Sequence, residues 1–260
     1  MLFAWLRTRR RRRLLADPFP HWWTGHLTRN VAHFALLPEA SRARVRDAAR
    51  VIIAEKRWHG REGVFVTEEM KVTIAAQAAL LLLGGDHGYF RPVKDVVVFP
   101  TEFRTPVRDD GWEDDRLSEV PLAGRAVDRG PVLLAWDEVL REGRDPAGGR
   151  NVVIHEFAHQ LDFDEGLSAD GPDLGDAALE ARWRPAFASH FERHERDVAT
   201  GLGNPLFTPH AADDEYEFFA NASESFYCRP ALFRRRYPEL YQLLAAYYRV
   251  DPAEWFGGGR

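Results

Sequence analysis

Two histidines, His155 and His159, stand four residues apart in the stretch NVVIHEFAHQLD. On an α-helix this spacing places both imidazole rings on one face, where they can offer two nitrogens to one ion. Glu156 follows the first histidine, which places its carboxylate beside such an ion. This arrangement lets a zinc ion activate a water molecule while the carboxylate accepts the proton. The pattern predicts a zinc (Zn²⁺) hydrolase site with His155 and His159 as ligands and Glu156 as general base.

The same stretch has a competing interpretation as a structural helix that happens to carry two histidines. Apolar residues precede the first histidine and follow it, so we expect this helix to pack into the core. Imidazole and carboxylate groups are costly to bury without partners, and a bound ion removes that cost. We therefore favour the metal site. The stretch HFERH at 190–194 lacks the glutamate and is densely charged, so we expect it to face solvent.

A third metal ligand is expected elsewhere, because catalytic zinc normally has three protein ligands and one water. The metzincin pattern would need a histidine at position 165, where this chain has Glu165. A glutamate from a later helix is the other common solution, and the candidates are Glu180, Glu217 and Glu224. Glu180 stands in an arginine-rich stretch that favours an ion pair. Glu217 and Glu224 are seven residues apart, hence on one helix face, and spacing leaves open which of them binds the metal.

Hydrophobic periodicity predicts the elements that carry these residues. Helices are expected at residues 39–57, 68–83, 176–199, 214–228 and 237–250, in addition to the helix of the histidine motif. Thr67 is the expected N-cap of the second helix, and the pair Gly84-Gly85 is expected to end it. Short β-branched or apolar runs at 95–100 and 130–136 predict strands. The acidic stretch at 108–119 is expected to be an exposed loop. Helices, then strands, then helices indicate a mostly helical α+β fold with a small mixed sheet.

Composition limits the cellular setting. No apolar run approaches the roughly 20 residues that a membrane-spanning helix needs, and the first residues do not resemble a signal peptide. The single cysteine, Cys228, cannot form an intramolecular disulfide, which favours a reducing compartment. The formal net charge of −5 argues against direct nucleic-acid binding by the chain as a whole. We therefore expect a cytoplasmic protein without a membrane partner.

A basic block near the start of the chain contains Arg7 and the arginines at 9–13. Such a block can contact an anionic partner, either a nucleic acid, a lipid headgroup or an acidic protein. We favour the plainer interpretation of a solvated terminus, because aromatic residues do not alternate with the arginines.

Several separated stretches together resemble the Mlc titration factor A family of bacterial cytosolic zinc peptidases. In chain order they are TEEMKVTIAAQAALLLLG, GPVLLAW, NVVIHEFAHQLD, EFFANASESFY and YPELYQLLAAYY. The resemblance covers about residues 35–253. It implies a zincin-like metallopeptidase domain, related to that of anthrax lethal factor, and aminopeptidase-like activity on small substrates.

The resemblance also assigns roles outside the histidine motif. The family's third zinc ligand is the glutamate that opens E-F-F-A, which here is Glu217, and Glu224 then supports the site. The family carries a tyrosine seven residues before that glutamate, thought to stabilise the transition state, and here the position holds His210. A histidine can donate a hydrogen bond to an oxyanion, so His210 is a candidate catalytic residue; an ordinary loop residue is the alternative. Family members also bind a transcriptional repressor of sugar metabolism, which implies a repressor partner beside a peptide substrate.

These observations predict a basic N-terminal segment at 1–34 and a single zincin-like catalytic domain at 35–260. We expect an extended peptide substrate to pair with the strand at 132–136. The alternative function is a regulatory module that sequesters a repressor and keeps zinc for structure. Such a structural site would be closed by four protein ligands.

Overall fold

The computed structural model describes most of the chain. It covers residues 2–85, 87–104, 106–109, 112–117, 121–127, 130–163 and 174–255, with the backbone alone for 2–4, 106–109, 112–117, 162 and 163. The helices in this part are α1 (Leu2–Ala16), α2 (Trp23–Asn30), α3 (Ala32–Leu36), α4 (Glu39–Glu55), α5 (Glu68–Ala78), α6 (Trp136–Arg144), α7 (Val152–Phe163), α8 (Ala177–Ala199), α9 (Glu215–Cys228), α10 (Pro230–Arg236) and α11 (Pro238–Tyr248). The strands are β1 (Arg57–Gly60), β2 (Asp95–Phe99), β3 (Pro106–Asp109), β4 (Trp112–Leu117), β5 (Gly124–Ala126) and β6 (Val132–Ala135).

A small mixed sheet has the strand order β1-β2-β6-β5. The first three strands are parallel, and β5 runs antiparallel to β6. Val96, Val98, Val132 and Leu134 are fully buried, as expected for strands covered by helices. The predicted α+β class with a small mixed sheet is confirmed. The prediction that an extended substrate pairs with residues 132–136 is wrong, because β6 is already paired with β2 and β5, and β5 is the edge strand on that side.

The stretch predicted as a loop at 108–119 contains paired strands instead. β3 and β4 form a two-stranded antiparallel sheet, with a register irregularity between Pro106 and Arg108. The acidic residues in this stretch had indicated a loop, but an antiparallel pair can tolerate polar residues on a face turned to solvent.

Helices α4 and α5 pack together where the sequence predicted two helices. The Thr67 hydroxyl caps α5 by accepting a hydrogen bond from the Met70 N–H at 3.2 Å. The α-helical part ends at Ala78 and a 3₁₀ turn continues to Leu82, so the helix tightens before the predicted stop at Gly84. Residues 72–83 are all buried, because other elements cover this segment on every side.

The histidine-bearing helix α7 lies in the middle of the molecule. It packs against α9, β5, α5 and β6. Val153, Ile154 and Phe157 are fully buried on its inner faces. The burial of each of these side chains stabilises the fold by roughly 2 kcal/mol. A helix packed in this way is a rigid platform for metal ligands, since its rotamers are fixed by neighbours.

The first helices belong to the same core as the rest of the chain. Helix α1, which carries the basic block, packs against α4. Trp23, Leu27, Val31 and Phe34 are buried in the main apolar cluster. The boundary between a basic segment at 1–34 and a catalytic domain at 35–260 stays a prediction. Among the described helices, none combines the length and apolar character that crossing a bilayer requires.

Candidate metal centre

Buried polar side chains fix the start of α7. Asn151 caps the helix, because its side-chain oxygen accepts the Ile154 N–H at 2.9 Å. Its side-chain amide donates to the Gln77 side-chain oxygen at 2.7 Å. The Val152 N–H donates to Glu142 at 2.6 Å. Asn151 and Gln77 are fully buried, so these bonds orient the helix without competition from water.

Three predicted ligands meet one turn further along. The Nε2 atoms of His155 and His159 are 3.2 Å apart. The two carboxylate oxygens of Glu217, on α9, lie 3.1 Å from His155 Nε2 and 3.3 Å from His159 Nε2. In the described part of the chain these side chains form the one cluster of three groups able to hold a metal ion.

The donor set fits a divalent ion of the zinc type. Two ligands about 2.0–2.1 Å from a tetrahedral zinc ion are roughly 3.3–3.4 Å from each other, close to the spacings among His155, His159 and Glu217. Two imidazole nitrogens and a carboxylate are a common ligand set for catalytic zinc. Two neutral imidazoles facing each other through Nε2 also need a shared proton or a cation between their lone pairs.

A second carboxylate, Glu224, lies behind the ligands, two helical turns after Glu217. One Glu224 oxygen is 3.8 Å from His155 Nδ1. The other accepts the Asn151 backbone N–H at 2.5 Å and lies 3.5 Å from Arg150 Nε. Glu224 is buried, and its contact with the far side of the His155 ring is that of an outer partner that orients a ligand.

Electrostatics couple the ligands. Burial alone would lower the pKa of His155, but hydrogen bonds to Glu217 and Glu224 outweigh it and hold the pKa well above 6.5. Burial would raise the pKa of Glu217, but hydrogen bonds from His155, His159 and His210 hold it far below its usual range. The cluster thus keeps an ionised carboxylate beside imidazoles at neutral pH.

The predicted general base, Glu156, is held next to the ligands. It is 5% exposed, and the nearby Ala126 backbone slightly favours its ionised form. Burial raises the pKa of Glu156, against the opposing charges of His155 and His159. Gly124 makes room for it: a Cβ on Gly124 would lie 2.5 Å from Glu156 Oε1. A carboxyl with a raised pKa beside a metal cluster is suited to accept and return a proton.

His210 also reaches the cluster, from the 3₁₀ turn Pro209–Ala212 before α9. Its Nε2 is 3.3 Å from Glu217 Oε2, and its Nδ1 hydrogen-bonds Asp213. The hydrogen bond to Glu217, with help from Asp213, raises the pKa of His210 to about 9 despite partial burial. The side chain is 61% exposed, so His210 borders the centre on its solvent side.

The centre opens into a cleft of about 620 Å³. Its walls include the three candidate ligands and the whole of edge strand β5. Glu156, His210 and Glu224 also line it. Charged residues outside β5 also line the cleft: Glu102, Arg150 and Asp214. An open cleft lined by an edge strand and convergent polar groups is typical of a site for an extended ligand.

Two other sequence candidates lie apart from this cluster. Glu180 is in the first turn of α8 and is not among the gathered ligands. The HFERH stretch was predicted to face solvent, which is wrong for His194: it is 3% exposed, and its Nε2 donates to the Thr208 carbonyl at 2.9 Å. Phe207 and Phe218 pack against its ring. One face of α8 is buried. The many charged residues in this part of the sequence lie on its other faces, so the sequence alone did not indicate the buried face.

Sequence reasoning missed Gln77, Glu142 and Gly124. Gln77 interrupts an apolar run, and a buried amide in such a run signals a hydrogen-bonded role. Glu142 has no sequence signal, since its contact with α7 depends on how α6 packs. Gly124 stands in a short strand that periodicity does not reveal.

Comparison with known proteins agrees with a metallopeptidase-type site on an α+β fold. The family described as "Glucose-regulated metallo-peptidase M90" matches residues 5–249, and the chain belongs to this family. Its relatives include the Mlc titration factor A of Klebsiella pneumoniae, which is 30% identical over 224 residues, 84% of this chain and 82% of the relative. The resemblance to the Mlc titration factor A family is confirmed.

Two further relatives show how much of the chain is shared. Mlc titration factor A of Yersinia enterocolitica is 27% identical over 229 residues, 86% of this chain and 84% of the relative. An uncharacterized protein of Synechocystis sp. is 29% identical over 246 residues, 94% of this chain and 89% of the relative. The family match over residues 5–249 includes α7, α9 and the segments between them.

Proposed function

We propose that this protein is a zinc-dependent peptidase with a zincin-like catalytic domain, acting on peptide or aminoacyl bonds in the cytoplasm. The observation that carries the proposal is the meeting of two imidazole nitrogens and a carboxylate at 3.1–3.3 Å beside a buried glutamate. Membership of a metallopeptidase family supports it. The single, buried Cys228 supports a reducing compartment.

His155, His159 and Glu217 hold the zinc ion in this proposal, and Glu224 orients His155. These residues would hold an ion whose chemistry there would be to lower the pKa of a coordinated water towards about 7 and to polarise the substrate carbonyl. Glu156 accepts the proton from the attacking water and returns it to the leaving amine. Its burial next to Ala126 keeps the carboxylate in one orientation between the two transfers.

His210 donates a hydrogen bond to the oxyanion that develops on the substrate. Its position at the rim of the centre, with Nε2 directed to Glu217, supports this role. The substrate backbone pairs with β5, the edge strand that lines the cleft. The Gly124 side of this strand lies against Glu156, so a peptide on β5 would present its carbonyls near the base.

The second candidate function is regulatory. Several relatives are named Mlc titration factor A, and that name favours a protein-binding role in which this chain captures a transcriptional repressor. In that case the metal would be structural. The two functions differ in coordination, because a structural zinc site has four protein ligands and a catalytic one keeps a water.

A substrate panel with a chelator decides between the two functions. The protein is incubated with chromogenic aminoacyl and short peptide substrates as purified, after chelation, and after chelation followed by added zinc. Hydrolysis that disappears with the chelator and returns with zinc supports the peptidase. A zinc-loaded protein that captures a partner but hydrolyses no substrate of the panel contradicts it and favours the regulatory module.

A further inference from the structure

Positive charge is concentrated at one end of this acidic chain. Residues 1–55 contain 11 arginines and four acidic residues, although the whole chain has a net charge of −5. Helices α1 and α4, which pack against each other, carry ten of these arginines. A protein that is acidic overall but carries such a local basic surface has a strongly asymmetric field, which attracts anionic partners to that surface.

Helix α1 contacts the rest of the protein through one of its faces. Arg11 forms a two-point ion pair with Glu55 at 2.7 Å, and Arg50 donates a hydrogen bond to the Leu14 carbonyl. Four other arginines, Arg9, Arg10, Arg12 and Arg13, are exposed, and none of them forms an ion pair with any residue that the structure describes. Their guanidinium groups are therefore available to an external partner.

The same helix has an apolar end. Trp5 is 55% exposed and Leu6 45%, and the Arg9 guanidinium lies 5.3 Å from the centre of the Trp5 ring. Large apolar side chains are costly to leave in water, and here they adjoin a basic segment along one helix axis.

We propose that α1 binds the surface of a bilayer that contains anionic phospholipids. The arginines would contact the headgroup phosphates, and the exposed side chains of Trp5 and Leu6 would enter the boundary between headgroups and acyl chains. Stable attachment takes two signals, such as an apolar anchor and a basic patch, and α1 supplies both.

The apolar end distinguishes a bilayer from a nucleic acid. The arginines alone would suit either polyanion, because both present phosphates. Single-stranded nucleic acids are bound by aromatic side chains spaced along a basic groove, whereas the exposed large apolar side chains of α1, Trp5 and Leu6, lie together near its first turn. Trp5 beside arginine at a helix end is the pattern of an interfacial anchor.

Vesicle flotation of the full-length protein tests the proposal. Binding is measured to vesicles of phosphatidylcholine mixed with phosphatidylglycerol, and to vesicles of phosphatidylcholine alone. We expect binding to the mixed vesicles only, weakening as salt is added. Replacing Arg9, Arg10, Arg12 and Arg13 with glutamine should lower the affinity at least about 100-fold. The Trp5→Ala/Leu6→Ala variant should lower it about tenfold or more.

A matched control lies at the end of α10, where Arg234, Arg235 and Arg236 are also exposed. Their replacement with glutamine removes a similar charge and should leave vesicle binding within about twofold. Circular dichroism of each variant checks that the fold is kept. The proposal is overturned if the folded protein does not bind the mixed vesicles, if the α10 variant loses as much affinity as the α1 variant, or if short DNA binds α1 more tightly than the vesicles do.

Discussion

Glu217 and Glu224 show what helical spacing can and cannot resolve. Both were predicted to face the histidines, since seven residues are two turns of a helix. In the structure Glu217 reaches the Nε2 atoms of both histidines, while Glu224, deeper in the core, lies on the Nδ1 side of His155. Spacing fixes the face of a helix but not the depth at which each side chain meets its partner. The resemblance, not the periodicity, favoured Glu217.

Glu156→Gln tests the proposed base at the residue scale. The amide keeps the shape of the side chain but cannot accept a proton, so we expect kcat/KM for peptide hydrolysis to fall about 10²–10⁴-fold. Bound zinc per chain should be unchanged, because Glu156 is beside the ligands and not among them. Steady-state kinetics and metal analysis of the same preparation check both results, and a variant that cleaves at the normal rate contradicts the proposed mechanism.

At the scale of elements, long periodic segments were predictable and short ones were not. The helices from Glu39 and from Glu215, the N-cap Thr67 and the strand at 95–99 follow from hydrophobic period and capping residues. The three-residue strand β5 is too short to show a period, although it forms the edge of the sheet. Strand order depends on contacts between distant segments, so local patterns did not reveal that β6 is central.

Gly124→Ala tests how β5 positions the base. The added Cβ would lie 2.5 Å from both Glu156 Oε1 and Val152 Cγ2, too close for ordinary contact. Glu156 would have to move, and we expect kcat to fall about tenfold or more, since small displacements of a catalytic group are costly. Zinc binding should persist. Gly25→Ala is the control, because its nearest neighbour would be 3.9 Å away, and equal activities of the two variants would exclude this role for Gly124.

Asn151→Ala tests the buried cap of α7. The change removes the acceptor for the Ile154 N–H and leaves the fully buried Gln77 without its Asn151 partner. We expect the free energy of unfolding to fall by about 2–3 kcal/mol, the sum of a lost cap and a buried polar group left unpaired. Asp176→Ala, at the exposed N-cap of α8, should cost about 1 kcal/mol. Urea denaturation compares them, and equal losses would show that the burial of the Asn151 cap adds nothing.

At the scale of the whole molecule, charge and burial are unevenly distributed. The chain has a net charge of −5, yet α1 and α4 together carry ten arginines, while acidic residues outnumber arginines in the cleft at the metal centre. The arginine block was predicted to be a solvated terminus; the structure places it in a helix packed on α4. Packing also buries histidines such as His33 and His194, which their sequence neighbours do not distinguish from surface histidines.

His33 makes the stability of the whole fold depend on pH. Its ring is fully buried, and Nε2 donates to the Tyr227 carbonyl at 3.1 Å. Burial, only partly opposed by that hydrogen bond, lowers the pKa of His33 from 6.5 to about 4. Between about pH 4 and pH 6.5, His33 is therefore protonated in the unfolded chain but neutral in the folded chain. The stability that neutral His33 contributes is full above pH 6.5 and is lost as the pH falls towards 4.

Replacing His33 with glutamine should flatten this dependence. From about pH 7 to about pH 5, we expect the wild-type free energy of unfolding to fall by about 2 kcal/mol more than that of His33→Gln. Urea denaturation at both pH values measures the difference. His21→Gln, at an exposed position, should keep the wild-type dependence. A His33→Gln protein with an unchanged pH dependence would show that another group is responsible.

Zinc affinity in a series of glutamate variants tests the metal centre most directly. Competition with a chromophoric chelator gives the Kd for wild type, Glu217→Ala, Glu224→Ala and the distant control Glu180→Ala. We expect one tight site in the wild type and in the control, a loss of about 10–100-fold for Glu224→Ala as an outer partner, and a larger loss for Glu217→Ala as a direct ligand. A greater loss for Glu224→Ala than for Glu217→Ala, or no difference between Glu217→Ala and the control, would contradict this assignment.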